Sequence, residues 1–145
     1  MKPRVFLDSS ALIAGLASPR GASNVILTLA EAGLLALVIS EEVLIEVERN
    51  LQAKLPRALP GYQRFLATCP LEKGAAPSAA EVAAARQIIH DADAPILAAA
   101  MALGVDYLVT FDRQHFLDDP EVARKSRLRI GTPGDFLAWF RTTLK

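Results

Sequence analysis

Cysteine is nearly absent: Cys69 is the single thiol in 145 residues. A lone cysteine cannot close an intrachain disulfide or supply a multi-thiolate zinc site, which excludes a secreted disulfide scaffold and a zinc finger and fits a reducing cytoplasm. Long hydrophobic runs are also missing. Apolar stretches such as Leu34 to Ile39 are far shorter than the roughly 20 residues of a membrane helix, so no membrane association is expected. The N-terminal MKPRVFLDSS reaches Asp8 before an apolar signal core develops, so no export signal is expected. Excess charge of either sign is lacking too, since 16 Lys+Arg balance 16 Asp+Glu. Neutrality argues against a protein that coats nucleic acid through many phosphate contacts, yet it leaves open contact made through bound cations. What is present is 52% hydrophobic and 22% charged residues, too apolar for a disordered chain. The length points to one globular domain over residues 1–145 with a sizeable core.

Apolar runs of strand length alternate with amphipathic stretches, the pattern of βαβ units around a parallel sheet. A first strand is expected from Arg4 to Leu7, with Ser9 or Ser10 capping a short helix through Ala11, Leu12 and Ile13. Gly21 to Gly33 reads as a helix stopped by Gly33, and Leu34 to Ile39 as a strand covered on both faces. Ser40 can cap the next helix, in which Leu44, Val47, Leu51 and Leu55 form the core stripe before Pro56. A further helix is expected between Arg57 and Cys69, and LEKGAAP reads as a loop. Ser78 and Glu81 make a capping box for a helix from Ala79 to His90. Pro95 opens another helix that stops at Gly104, and a strand follows from Val105 to Thr110. A short strand near Leu128 to Ile130 leads to Thr132-Pro133-x-Asp135 and a last helix carrying Phe136, Trp139 and Phe140.

In parallel sheets of this kind the ligand site lies beyond the carboxyl ends of the strands. Asp8 follows the first strand, Asp112 follows the Val105 to Thr110 strand, Asp93 stands at the mouth of the helix feeding that strand, and Glu46 lies in the helix leaving the second strand. Carboxylates gathered at one edge repel one another and raise one another's pKa unless a cation sits among them. Hard oxygen donors with no convergent Cys or His set select Mg²⁺ or Mn²⁺. Such ions leave positions open for a phosphate oxygen and a water, which implies metal-assisted phosphodiester hydrolysis. Each acid also has a plainer role. Asp8 and Asp93 suit helix caps, Asp112 suits a turn, and Glu46 can pair on a helix surface beside Glu42 and Arg49. Helical periodicity does not choose Glu46 over Glu42 or Glu48.

The blocks VFLDSSALIAG, LALVISEEVLIEVERNL, DADAPILAAAMALGVDYLVTFDRQHF and RIGTPGDFLAWF resemble a PIN domain, specifically the VapC-like branch that includes toxins of toxin–antitoxin systems. The resemblance spans nearly the whole chain and is weakest between Arg57 and Ala76. It implies an α/β, three-layer sandwich with a central parallel sheet of four to five strands flanked by helices. The implied activity is that of a cytoplasmic, Mg²⁺- or Mn²⁺-dependent endoribonuclease leaving a 5′-phosphate and a 3′-hydroxyl. Matched by position, its acids are Asp8, Glu46, Asp93 and Asp112; the resemblance thereby selects Glu46. Ser10, where the family often has Asn, and Thr110 would orient carboxylates, and Asp91 would support the site. Arg113, directly after Asp112, is placed to meet a substrate phosphate, with a solvated arginine as its plainer reading.

Three features keep a plainer reading. His90 and His115 read as surface or capping residues, and the Arg124, Lys125, Arg127 and Arg129 cluster suits a solvated loop as well as RNA steering. The apolar faces within Ala22 to Leu37 and Leu55 to Leu66 suit core packing as well as contact with an antitoxin or a second copy forming a homodimer. Two rival functions stand beside the ribonuclease: a catalytically silent PIN-fold module binding RNA or protein, and a phosphoryl-transfer domain using Asp8 as nucleophile. The latter lacks a second Asp at position 10, which is Ser10.

Overall fold

The computed structural model describes residues 2–144. Five strands, β1 (Arg4–Leu7), β2 (Ala36–Ser40), β3 (Leu71–Gly74), β4 (Tyr107–Val109) and β5 (Ile130–Gly131), form one parallel sheet in the order β3-β2-β1-β4-β5. Val5, Phe6 and Leu7 of β1 and Leu37, Val38 and Ile39 of β2 are all fully buried. Successive side chains in a strand face opposite ways, so both faces of the sheet are covered. The cover is supplied by α1 (Ser9–Ala17), α2 (Ala22–Glu31), α3 (Glu41–Lys54), α4 (Leu59–Thr68), α5 (Ala79–Ala85), α6 (Ala94–Leu103), α7 (Pro120–Ser126) and α8 (Pro133–Thr143). This is the sandwich expected from the sequence. No helix among the described residues is long and apolar enough to cross a membrane.

Several local signals act as expected. Ser40 accepts the Val43 amide, and reciprocal capping boxes join Ser78 with Glu81 and Thr132 with Asp135. Gly33 (φ +80°) and Gly104 (φ +60°) supply the left-handed turns that stop α2 and α6. Other expectations are corrected. The first helix is capped by Asp8, whose side chain accepts the Ala11 amide, and not by Ser9 or Ser10. LEKGAAP is not all loop, because Leu71–Gly74 pairs with β2 as an edge strand. The helix expected to reach His90 ends at Ala85; Gln87 and Ile88 then bond back only three residues, and the chain opens at His90.

The chain builds β1, β2 and β3 outward on one side, then crosses back to place β4 and β5 on the other. The order therefore reverses between β1 and β4, and in open parallel sheets ligands bind beyond the carboxyl ends at such a point. Asp8 and Thr110 are the first residues past those ends.

Candidate functional site

Asp8 is extended (φ −77°, ψ 176°), and its backbone N–H still donates to the Val109 carbonyl at 3.1 Å, prolonging the sheet by one residue. That pairing fixes where its side chain emerges. Oδ1 accepts the Ala11 amide at 3.0 Å and the Ser10 hydroxyl at 2.7 Å, and Oδ2 accepts the Thr110 hydroxyl. Helix capping and site residue are thus one role in one side chain. Thr110 is fully buried, and its Oγ1 accepts the Asp112 amide at 2.9 Å. Ser10 Oγ likewise accepts the Phe111 amide at 3.1 Å. The two hydroxyls stitch the exit of β1 to the exit of β4, so Ser10 and Thr110 both touch the carboxylate they were expected to orient.

After β4 the chain forms a π-helical turn over Arg113–Leu117, in which Leu117 and Asp118 donate to carbonyls five residues back. Asp112 caps it through Oδ1, accepting the His115 amide at 3.1 Å. The turn carries the His115 ring back over the acids. Its Nδ1 lies 2.7 Å from Asp93 Oδ2 and 3.3 Å from Asp112 Oδ2. His90 stacks on His115 with ring centroids 4.6 Å apart and an interplanar angle of 7°. His90 Nδ1 also accepts the Ala92 amide at 3.2 Å, holding the 3-10 turn Asp91–Asp93 that presents Asp93.

His90 therefore is a cap, as expected, but His115 is no isolated surface residue. His90, Asp93 and His115 bring donor atoms within 4.8 Å of one another. The expectation of no convergent histidine set is overturned, since imidazole nitrogen stands beside carboxylate oxygen at Asp93. Sequence spacing could not show this, because the π-helical turn sets the direction of His115. A second missed residue is Ser9, whose hydroxyl donates to Glu46 Oε2 at 2.8 Å and ties α3 to the mouth of α1. Glu46 is half-buried, whereas Glu42 and Glu48 are exposed.

Burial pushes the Asp8 carboxyl above its ordinary range, against the hydrogen bonds from Thr110, Ser10 and Ala11, and the charge of Asp112 adds to the rise. Asp93 is raised first by burial and then by Asp112, with His115 and His90 opposing. Asp112 is thus the acid that both others feel. Asp93 Oδ2 is buried and, despite its closeness to the His115 ring, makes no aligned hydrogen bond. A crowded acid edge with imidazole nitrogen beside it fits a divalent cation.

The remaining candidates lie apart. Asp91 is exposed, and no hydrogen bond or ion pair among the described residues ties it to the other acids. Arg113 has a side chain 73% exposed and reaches only Asp118, at 4.0 Å. In the basic cluster Arg124 pairs with Glu121, and Arg129 lies over the Trp139 ring at 5.1 Å. The apolar faces within residues 22–37 and 55–66 are mostly core, with Ile26, Leu27, Ala30, Tyr62 and Phe65 buried and Val25, Leu34 and Leu66 exposed.

The profile of the PIN domain family matches residues 4–114. Among solved structures, PAE2754 from Pyrobaculum aerophilum superposes with a TM-score of 0.67 at 20% identity, covering 98% of this chain and 99% of its own. VapBC2 from Rickettsia felis, determined bound to a DNA fragment from its promoter, superposes with a TM-score of 0.64 at 18% identity, covering 88% of this chain and 96% of the other. At such identities the likeness is one of fold. No curated protein sequence matches the chain.

Proposed function

The chain belongs to the PIN domain family, and from that premise we propose that it is a divalent-metal-dependent endoribonuclease, the toxin of a toxin–antitoxin pair, working in the cytoplasm. The observation that carries the nuclease reading is the crowding of Asp8, Asp93 and Asp112 where the strand order reverses, with His115 against Asp93 and Asp112. A module built only to bind would gain nothing from burying Asp8 and Asp93 beside Asp112, where burial and the neighbouring charge hold both above their ordinary range. The toxin assignment rests on the VapC-like sequence blocks, and the fold shared with VapBC2 is in keeping with it.

In this reading Asp8, Glu46 and Asp93 hold one ion, and Asp112 serves a second ion or acts through water. Bound Mg²⁺ or Mn²⁺ would supply the positive charge that stabilises the phosphoryl oxygens and would lower the pKa of the attacking water. The protein's own part is orientation. Ser10, Thr110 and the Ala11 amide fix both oxygens of Asp8, and Ser9 fixes one oxygen of Glu46. Asp8→Asn preserves the helix cap, because Asn caps as well as Asp, while removing the charge. It is expected to fold and to lose Mn²⁺-dependent cleavage of RNA. Undiminished cleavage by the folded variant would sink the assignment.

A further inference from the structure

Beside His115 lies an open cavity of about 270 Å³, with Ile88, Ile89 and Val122 in its wall and the exposed Arg86, Gln87, His90 and Gln114 around it. Two side-chain amides, two imidazoles and a guanidinium line this one space, and Arg86 makes no ion pair among the described residues. Asp119, the one acid lining it, has its carboxylate turned to cap α7 by accepting the Glu121 amide at 3.0 Å. His90 is exposed and rests one ring face on His115. Through His115 the cavity is continuous with Asp93 and Asp112.

These groups are the kinds that read an unpaired base. A flat ring offers a stacking platform, amides match the donor and acceptor pattern of a base edge, and a free guanidinium meets phosphate. We propose that this cavity is a nucleotide subsite: it seats one unpaired base of RNA against His90, next to the scissile phosphodiester, with Gln87 and Gln114 reading the base edge and Arg86 holding the flanking phosphate. The proposal rests on the ribonuclease reading above and adds to it the place where one base beside the cut is read. A base inside an A-form helix stays stacked on its neighbours and cannot enter such a space.

The test uses the Asp8→Asn protein, which binds without cutting, and measures anisotropy of short labelled oligo-A, oligo-C and oligo-U in Mg²⁺. His90→Ala is expected to weaken binding about ten-fold, as loss of one stacked base does. His90→Phe, which keeps a flat ring but loses the bond from the Ala92 amide, is expected to bind as tightly as the parent. Gln114→Ala is expected to narrow the differences among the three strands, and a duplex of equal length is expected not to displace them. Unchanged affinity in His90→Ala overturns the subsite, as does a loss in His90→Phe equal to that in His90→Ala. If the Asp8→Asn parent binds none of the strands, it is the RNA reading of the whole site that fails.

Discussion

The two ends of the sheet handle charge in opposite ways. At the amino ends of the strands Arg4 opens β1, reaches past Ala36 of β2 to pair with Glu72 of β3, and donates to the Leu103 carbonyl at 2.7 Å. Its backbone amide donates to Asp106 at 2.7 Å. There the hydrogen bond from Arg4 lowers the Glu72 pKa, and the bond to Glu72 raises that of Arg4. At the carboxyl ends Asp8 and Asp93 are held above their ordinary range, because burial and Asp112 outweigh the donors around them. One end is neutralised by the protein's own side chains. The other is left with negative charge to be matched from outside.

The sharpest way to break this contrast is to neutralise one acid at each end. Asp93→Asn is expected to reduce Mn²⁺-dependent RNA cleavage to background, and Glu72→Gln to leave the rate unchanged; equal losses in a gel assay would mean that the two ends do not differ in function. Next in size come the hydroxyls that aim the acids. Ser9→Ala and Thr110→Val are each expected to lower cleavage by about 10–100-fold, the usual effect of losing a group that orients a metal ligand. Thr110→Val also leaves the buried Asp8 oxygen and the Asp112 amide without their partner, for about 1–3 kcal/mol of stability.

Thermal unfolding compares the ends directly. Mg²⁺ at about 100 times its dissociation constant stabilises by about 2.7 kcal/mol, a rise in melting temperature of roughly 5–10 °C for a chain of this size. The rise is expected in the wild type and not in Asp93→Asn. The pH dependence runs in opposite directions. Raised carboxyls at Asp8 and Asp93 mean that the folded state holds more protons than the unfolded one. Metal-free stability is therefore expected to fall as pH rises above about 4, until both groups are ionised. Glu72 is lowered, so its contribution is present above its unfolded pKa and is lost on acidification through its folded value. That contribution is the smallest effect, at most about 1 kcal/mol because both partners are solvent-screened, and Glu72→Gln followed by urea titration measures it.

What the sequence made legible follows from the range of the forces involved. Caps, glycine stops and fully buried strands are set by neighbouring residues, so Ser40, Ser78, Thr132, Gly33 and Gly104 could be read locally. Strand β3 could not, since an edge strand with Glu72 and Lys73 exposed has no apolar run to announce it. The acids were recognisable as residue types at strand and helix ends, and the chain order placed Asp8 and Thr110 side by side only once β4 paired with β1. Asp91 and Arg113 had a site role and a solvated role open to them in sequence, and both are exposed in the structure. His115 was hidden for the opposite reason, because one extra residue in a turn decides which way its ring faces.

The bond from Thr110 to Asp8 joins residues 102 positions apart. A partial chain short of β4 can hold Asp8 Oδ1 through Ser10 and Ala11 but leaves Oδ2 without its partner, and no folding intermediate lacking the β1–β4 pairing can bring Asp112 to the other acids. Assembly of the candidate site is therefore a late event in the life of each molecule. It is complete only once β4 pairs with β1 and is lost again whenever β4 opens, so hydrogen exchange at Val109 and Thr110 is expected to track the opening of the site.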